Sequence, residues 1–263
     1  MMLGCFLRAG RYEVKKDPRL MNFMTDEGFW NAIALARRVR PRDGIQTFAT
    51  VCSTWVWISR SSTGRSLRNV LGNVRSEVVA EANAMVSRMV LLILFLCARC
   101  VAWLLEQPAT SLMAQHPRMV MLKELSERTV GLTGFHEVHT SMGAFGAATK
   151  KPTRLYSSEE WVHEMRRAVP RDFARDPKKQ TVKIAKGGKV TGGPDLKETQ
   201  AYPDEYGRAL LRSWQRNLKT ARHAYAEDEI SEDSEEFEED AWADCELFNM
   251  LAGKGVRRDA MPF

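Results

Sequence analysis

Two side chains able to do covalent chemistry stand at the ends of short apolar runs. Cys52 follows Gln46-Thr47-Phe48-Ala49-Thr50-Val51, and Glu106 follows Trp103-Leu104-Leu105 and precedes Gln107-Pro108. A thiolate on a loop near cationic groups is a nucleophile, and Arg60, Arg65 and Arg68 follow Cys52. A carboxyl at a neighbouring strand end can hydrogen-bond or protonate a heteroaromatic ring while the thiolate attacks it. The plain alternative is an ordinary buried cysteine and a glutamate paired with an arginine.

For the two groups to meet, both runs must be strands of one sheet, joined by a crossover helix, with their carboxyl ends on the same edge. That edge is where open α/β folds bind ligands. The intervening residues have the required pattern. Ile45 to Val51 and Cys100 to Leu105 read as buried strands, and Val78, Val79, Ala82, Met85, Val86, Met89 and Val90 recur at helical spacing up to about Leu96. Residues 59–73 are polar, basic and rich in Ser and Gly, a loop over the sheet edge.

Upstream, Gly10 to Val14 is a strand candidate, and Thr25 or Asp26 caps a helix to about Arg38 with Phe29, Trp30, Ile33 and Ala34 on its apolar face. Downstream come a helical turn at Ser111 to Gln115 and a short helix at Met119 to Leu125. His136 to Thr140 and Thr153 to Tyr156 then read as an antiparallel edge pair, and a helix starts at Ser158. The expected fold class is α/β: a Rossmann-like, mostly parallel sheet flanked by helices, with an antiparallel edge hairpin and a flexible C-terminal region. The expected divisions are a domain over 1–168, a basic Gly/Lys-rich linker over 169–203, a helix over 204–226 and an acidic, mobile tail over 227–263.

Of the 33 acidic side chains, twelve lie in residues 227–246 with no basic one among them, which leaves 21 against 39 Lys and Arg elsewhere. A basic body suits phosphate partners such as DNA or another nucleic acid, and an acidic tail could fold back over that surface. Five scattered cysteines suit a reducing compartment better than a disulfide framework. Cys97-Ala98-Arg99-Cys100 lacks a second ligand pair, so both thiols read as buried and apolar, and no metal is expected. The apolar run Met89 to Leu105 is interrupted by Arg99 and falls short of the roughly 20 residues of a membrane span. With no signal sequence or span read, the expected location is intracellular, nuclear or cytoplasmic.

Cys52-Ser53-Thr54-Trp55, Gly72-Asn73, Ala82-Asn83, Leu105-Glu106-Gln107-Pro108 with Ser111, and Lys151-Pro152-Thr153-Arg154-Leu155 follow one another in an order that resembles DNA (cytosine-5) methyltransferase-like proteins. The likeness covers roughly residues 10 to 157 and lies in the succession, not in any one motif. It implies a cysteine, Cys52, that attacks C6 of a flipped-out cytosine, a glutamate, Glu106, that engages N3, and methyl transfer from S-adenosylmethionine.

Several positions depart from the pattern. Thr50 and Val51 stand where the family has two prolines. Glu13, after Tyr12, matches the acid that would hold the cofactor ribose, so the first strand and its glycine turn must lie upstream of Met1 or within Met1 to Ala9. Gly4 and Gly10 do not form a G-x-G. Nucleic-acid contacts are expected from Trp55, Arg60, Arg65 and Arg154, with Trp57 a second ring able to stack on a base; capping the core is the other reading of both tryptophans. His136 and His139 are further candidates for base support, and His116 reads as a structural hydrogen-bonder. The expectation is a degenerate, non-catalytic relative, against an active methyltransferase or a basic interaction module governed by its acidic tail.

Overall fold

A computed structural model of the chain describes residues 2–5, 11–12, 20–128, 134–170, 173, 181–184, 190–193, 196, 199 and 201–228. Met1–Asn217 form one compact unit and Leu218–Phe263 a second. The helix expected at 204–226 is present as Asp204–Asp228 and begins in the first unit. The acidic residues from 229 onward, most of the basic linker, and Glu13 lie outside the described residues.

The centre of the first unit is a strand–helix–strand unit. Strand β3 (Ile45–Ala49) leads through the Cys52 loop to helix α3 (Glu77–Ala98), which returns to strand β4 (Ala102–Pro108), paired parallel to β3 with Phe48 opposite Leu105. Helix α3 buries ten residues, among them Val86, Met89, Val90, Ile93 and Leu96. It is long and apolar enough to cross a membrane, and one side of it, including Val86, Met89, Ile93 and Leu96, packs in the core with Trp103, Leu105 and Phe48 while Val78 and Leu91 are exposed. Helices α1 (Asp26–Ala36) and α4 (Pro117–Arg128) pack on α3. Thr25 caps α1 by accepting the Gly28 N–H at 3.1 Å, the expected start. The buried face of α1 is Gly28, Ala32 and Ala36, which turns Trp30 outward at 67% exposure. Cys97 is buried, as expected, whereas Cys100 ends the helix in a left-handed turn (φ 51°) and is exposed.

The sheet is mixed, and the expected mostly parallel arrangement does not hold. Strands β1 (Met2–Cys5) and β2 (Arg11–Tyr12), with β5 (His136–Ser141) and β6 (Pro152–Ser157), complete the order β2-β1-β3-β4-β6-β5. Only the β3–β4 pairing is parallel; β1 runs antiparallel to β3, and β6 antiparallel to β4. A strand buried on both faces has the same apolar run whichever way its neighbours point, so the run into Leu105 does not tell parallel from antiparallel neighbours. The β5–β6 hairpin forms at the edge as expected. Strand alternation gives the two faces of β4 different tasks: Trp103 and Leu105 join the α3 core, and Leu104 and Glu106 face the other way. Residues 182–184 (β7) and 190–192 (β8) pair as a separate short hairpin. Helix α5 (Asp204–Asp228) begins with buried Tyr206, Ala209, Leu210 and Trp214.

The loop over residues 59–73 is fastened by a buried arginine. A short helix α2 (Arg60–Thr63) ends at Gly64 in the left-handed region, and Arg65 then turns inward at 2% exposure. Its guanidinium donates to the Val70 carbonyl at 2.7 Å and to Asn83 Oδ1 at 2.9 Å, and lies 3.4 Å from the centre of the Trp55 ring. Loop, helix α3 and the Cys52 turn thus share one cation. Replacing it (Arg65→Ala) leaves buried acceptors unpaired and an aromatic face bare, and we expect a loss of about 3 kcal/mol in a urea titration.

Candidate functional site

Cys52, just beyond the end of β3, and Glu106 come close enough for the charge of one to act on the other, but Glu106 lies within β4, which runs on to Pro108, and not at the strand end the sequence suggested. Cys52 heads a tight turn in which its carbonyl accepts the N–H groups of Trp55 at 2.9 Å and Val56 at 3.3 Å. The turn is held to the end of β4 by polar groups. Buried Gln107 donates from Nε2 to Thr50 Oγ1 at 2.9 Å and accepts the Ser111 hydroxyl at 3.1 Å. The Leu112 N–H donates to the Trp55 carbonyl at 2.9 Å. Thr50 therefore anchors the loop through hydrogen bonds where a proline pair would fix it through ring geometry.

Glu106 is 7% exposed, and its carboxylate has two partners. The Tyr202 hydroxyl donates to Oε2 at 2.5 Å, and the Lys151 ammonium lies 3.5 Å from Oε1. That ion pair is longer than a charge-assisted hydrogen bond, and Oε1 is a buried acceptor without a hydrogen bond. Lys151 sits 4.7 Å from the Tyr202 ring centre, and Tyr202 stacks on Tyr206 at 5.4 Å, which meets Phe145 edge-on. Burial and the negative Glu106 raise the Tyr202 phenol far above its ordinary range, so it remains a donor at every physiological pH. A cavity of about 210 Å³ adjoins the cluster, lined in part by Met142, Gly146, Thr149, Lys151, Ala201 and Tyr202.

Lys151 holds an uncommon backbone conformation (φ 33°) that costs energy for a residue with a Cβ. Its carbonyl accepts the Met142 N–H at 3.2 Å and the Thr153 hydroxyl at 2.9 Å, which fixes the turn feeding β6 and sets its ammonium beside Glu106.

Cys52 is half-buried, and its thiol is raised above the ordinary value, first by burial and then by the charge of Glu106; Lys151 opposes this only in part. At neutral pH the sulfur is a protonated thiol, not the thiolate that nucleophilic attack needs. The arginines that follow in sequence do not reverse this, because Arg65 is spent on Trp55, Val70 and Asn83.

The other expected contacts are distributed differently. Trp55 is 1% exposed and Arg65 2%, so neither presents a surface to nucleic acid; they form a buried stack instead. Trp57 is the ring of that loop that reaches solvent, and Arg60 is half-buried on α2. Arg154, half-buried on β6, points Nη1 at Glu137 Oε1, 3.5 Å away, and His139 meets the same oxygen at 3.1 Å. His136 packs edge-on against His163 at 5.5 Å. Tyr202 went unnoticed in the sequence because nothing local marks a tyrosine 96 positions from its partner. Among the described residues no cluster of three metal-ligating side chains occurs. Strand β1 runs antiparallel to β3.

Comparison with known proteins adds no relative: no family model, curated protein or solved structure matches the chain.

His116 completes the packing behind the Cys52 turn, edge-on to Trp55 at 5.7 Å, with Nδ1 accepting the Arg118 N–H at 3.2 Å. Burial, then Arg65 and Arg118, push it from 6.5 to about 4, so the ring is neutral and structural. Its folded value lies below its unfolded one. The stability that depends on the neutral ring is therefore complete above about pH 6.5 and is lost as pH falls toward 4. Urea midpoints at pH 7.5 and 4.5 should drop further for the parent protein than for His116→Gln, which cannot titrate.

Proposed function

We propose that this chain is a DNA (cytosine-5) methyltransferase-like protein that retains the base-handling edge of such a fold without performing methyl transfer. The observation that carries this reading is the buried Glu106 carboxylate beside Cys52, held by the Tyr202 hydroxyl and the Lys151 ammonium. In the family it resembles, the corresponding carboxyl engages a cytosine ring edge while the cysteine attacks C6. Here the carboxylate already has a donor, and the neighbouring sulfur is kept protonated.

A buried carboxyl next to a thiol suits recognition of the cytosine edge, where the amino group donates to one oxygen and a proton shared with the carboxyl joins N3 to the other. Turnover would ask more of it. Attack needs a thiolate and a free carboxyl, and the methyl group needs a donor held within reach. The β3–α3–β4 unit and the Gln107–Thr50 hydrogen bond support recognition, not turnover, by keeping both groups near one another.

The test is covalent trapping. Incubating the full chain with 5-fluorocytosine DNA and S-adenosylmethionine is expected to leave no protein–DNA adduct on a denaturing gel. An adduct formed by the parent protein and abolished by Cys52→Ser would establish the active enzyme and overturn this reading.

A further inference from the structure

We propose that Tyr202 is an internal ligand of this site: its hydroxyl takes the place on Glu106 that an N–H donor of a nucleobase would take, so the chain holds itself closed. The proposal rests on the base-handling reading of Cys52 and Glu106.

The contact has the chemistry of a bound ligand. Tyr202 presents a flat ring with one polar donor, and that donor meets the carboxylate at 2.5 Å. The ring is recognised on its face as well: Lys151 lies 4.7 Å over it, and Tyr206 stacks on it with planes 21° apart. A pyrimidine would call on the same three features, a carboxylate for its polar edge and a cation and an aromatic ring for its face. The hydroxyl supplies one donor only, which accounts for the buried Glu106 Oε1 that makes no hydrogen bond. A cytosine would donate its amino N–H to one oxygen and, with a proton shared at N3, engage the other.

Sequence and architecture place Tyr202 so that it can compete. It stands immediately before Pro203 and the start of α5, whose first turn is anchored by buried Tyr206 against Phe145. The anchor keeps the phenol beside Glu106 without a covalent link, so its effective concentration is high. Outside ligands bind only to the fraction of molecules in which Tyr202 has left, and their apparent affinity falls by that fraction. The Tyr202 ring and Lys151 both line the adjoining cavity, so removing the ring enlarges it on the side of the Tyr202–Glu106 contact.

The experiment is fluorescence anisotropy with a labelled single-stranded oligodeoxycytidine, using the full-length parent protein, Tyr202→Phe, Tyr202→Ala and Tyr202→Ala with Glu106→Gln. Iodoacetamide labelling of Cys52, followed by peptide mass spectrometry, is the second readout. A neutral donor on a charged acceptor is worth enough that Tyr202→Ala should bind the probe at least about tenfold more tightly than the parent. Tyr202→Phe, which keeps the ring and its stacking, should fall between them. Glu106→Gln should cancel the gain, and Cys52 should be alkylated about tenfold faster once Tyr202 is removed. Tighter binding with faster labelling upholds the proposal. Weaker binding by Tyr202→Ala would make the tyrosine part of the ligand site and overturn it, as would unchanged binding and labelling. If no variant binds the probe but Tyr202→Ala still speeds labelling, the internal contact stands and the base-handling reading falls.

Discussion

The Gln107 side chain is the constraint on which the rest of the site depends. Fully buried at the end of β4, it donates to Thr50 on one side and accepts from Ser111 on the other. The first bond joins the residue after β3 to the end of β4, just where Cys52 leaves one strand and Glu106 sits in the other, and the second holds the segment that follows β4. A buried amide must satisfy both its ends, so the geometry is over-determined: moving the Cys52 turn would orphan Gln107, and moving the 108–112 segment would orphan it as well. The Leu112-to-Trp55 backbone bond adds a third tie, and the Arg65–Trp55–His116 stack fills the space behind. Relative placement of thiol and carboxylate is thus a property of the scaffold, not of the flexible side chains themselves.

The same scaffold makes the pair electrostatically quiet. Burial and the Glu106 charge act together on Cys52 in the direction of the thiol. An active nucleophile requires the opposite arrangement, with a cation facing the sulfur and the carboxylate neutralised or turned away. Lys151 is the group able to shift that balance, yet it is drawn to Glu106 and to the Tyr202 ring. The strained backbone at Lys151, stabilised by bonds from Met142 and Thr153 to its carbonyl, is consistent with a position set by the needs of this cluster.

Much of the frame was legible from residue order. The helical spacing from Val79 to Leu96 and the uninterrupted apolar run into Leu105 announce α3 and β4, and the alternation around Val138 and Leu155 announces the edge hairpin. Strand direction was not legible, because periodicity reports which faces are buried and says nothing of which neighbour supplies the hydrogen bonds. In the sequence Arg65 reads as a loop cation for Cys52 or a nucleic acid; its burial follows from three partners, Trp55, Val70 and Asn83, that only the folded chain assembles. The resemblance to cytosine methyltransferase-like proteins singled out Cys52 and Glu106, and it named Lys151 without giving it a part. Tyr202 belongs to no local pattern, and its role exists only through a contact spanning 96 residues.

What gives this site its character is therefore the Tyr202–Glu106 hydrogen bond, and a double-mutant cycle measures it directly. Urea unfolding of the parent protein, Tyr202→Phe, Glu106→Gln and the double variant yields a coupling energy free of each side chain's other contacts. A buried bond from a neutral donor to a carboxylate predicts coupling of about 1.5 kcal/mol or more. Effects that add within about 0.3 kcal/mol would show that the hydroxyl and the carboxylate do not interact, and would contradict the account.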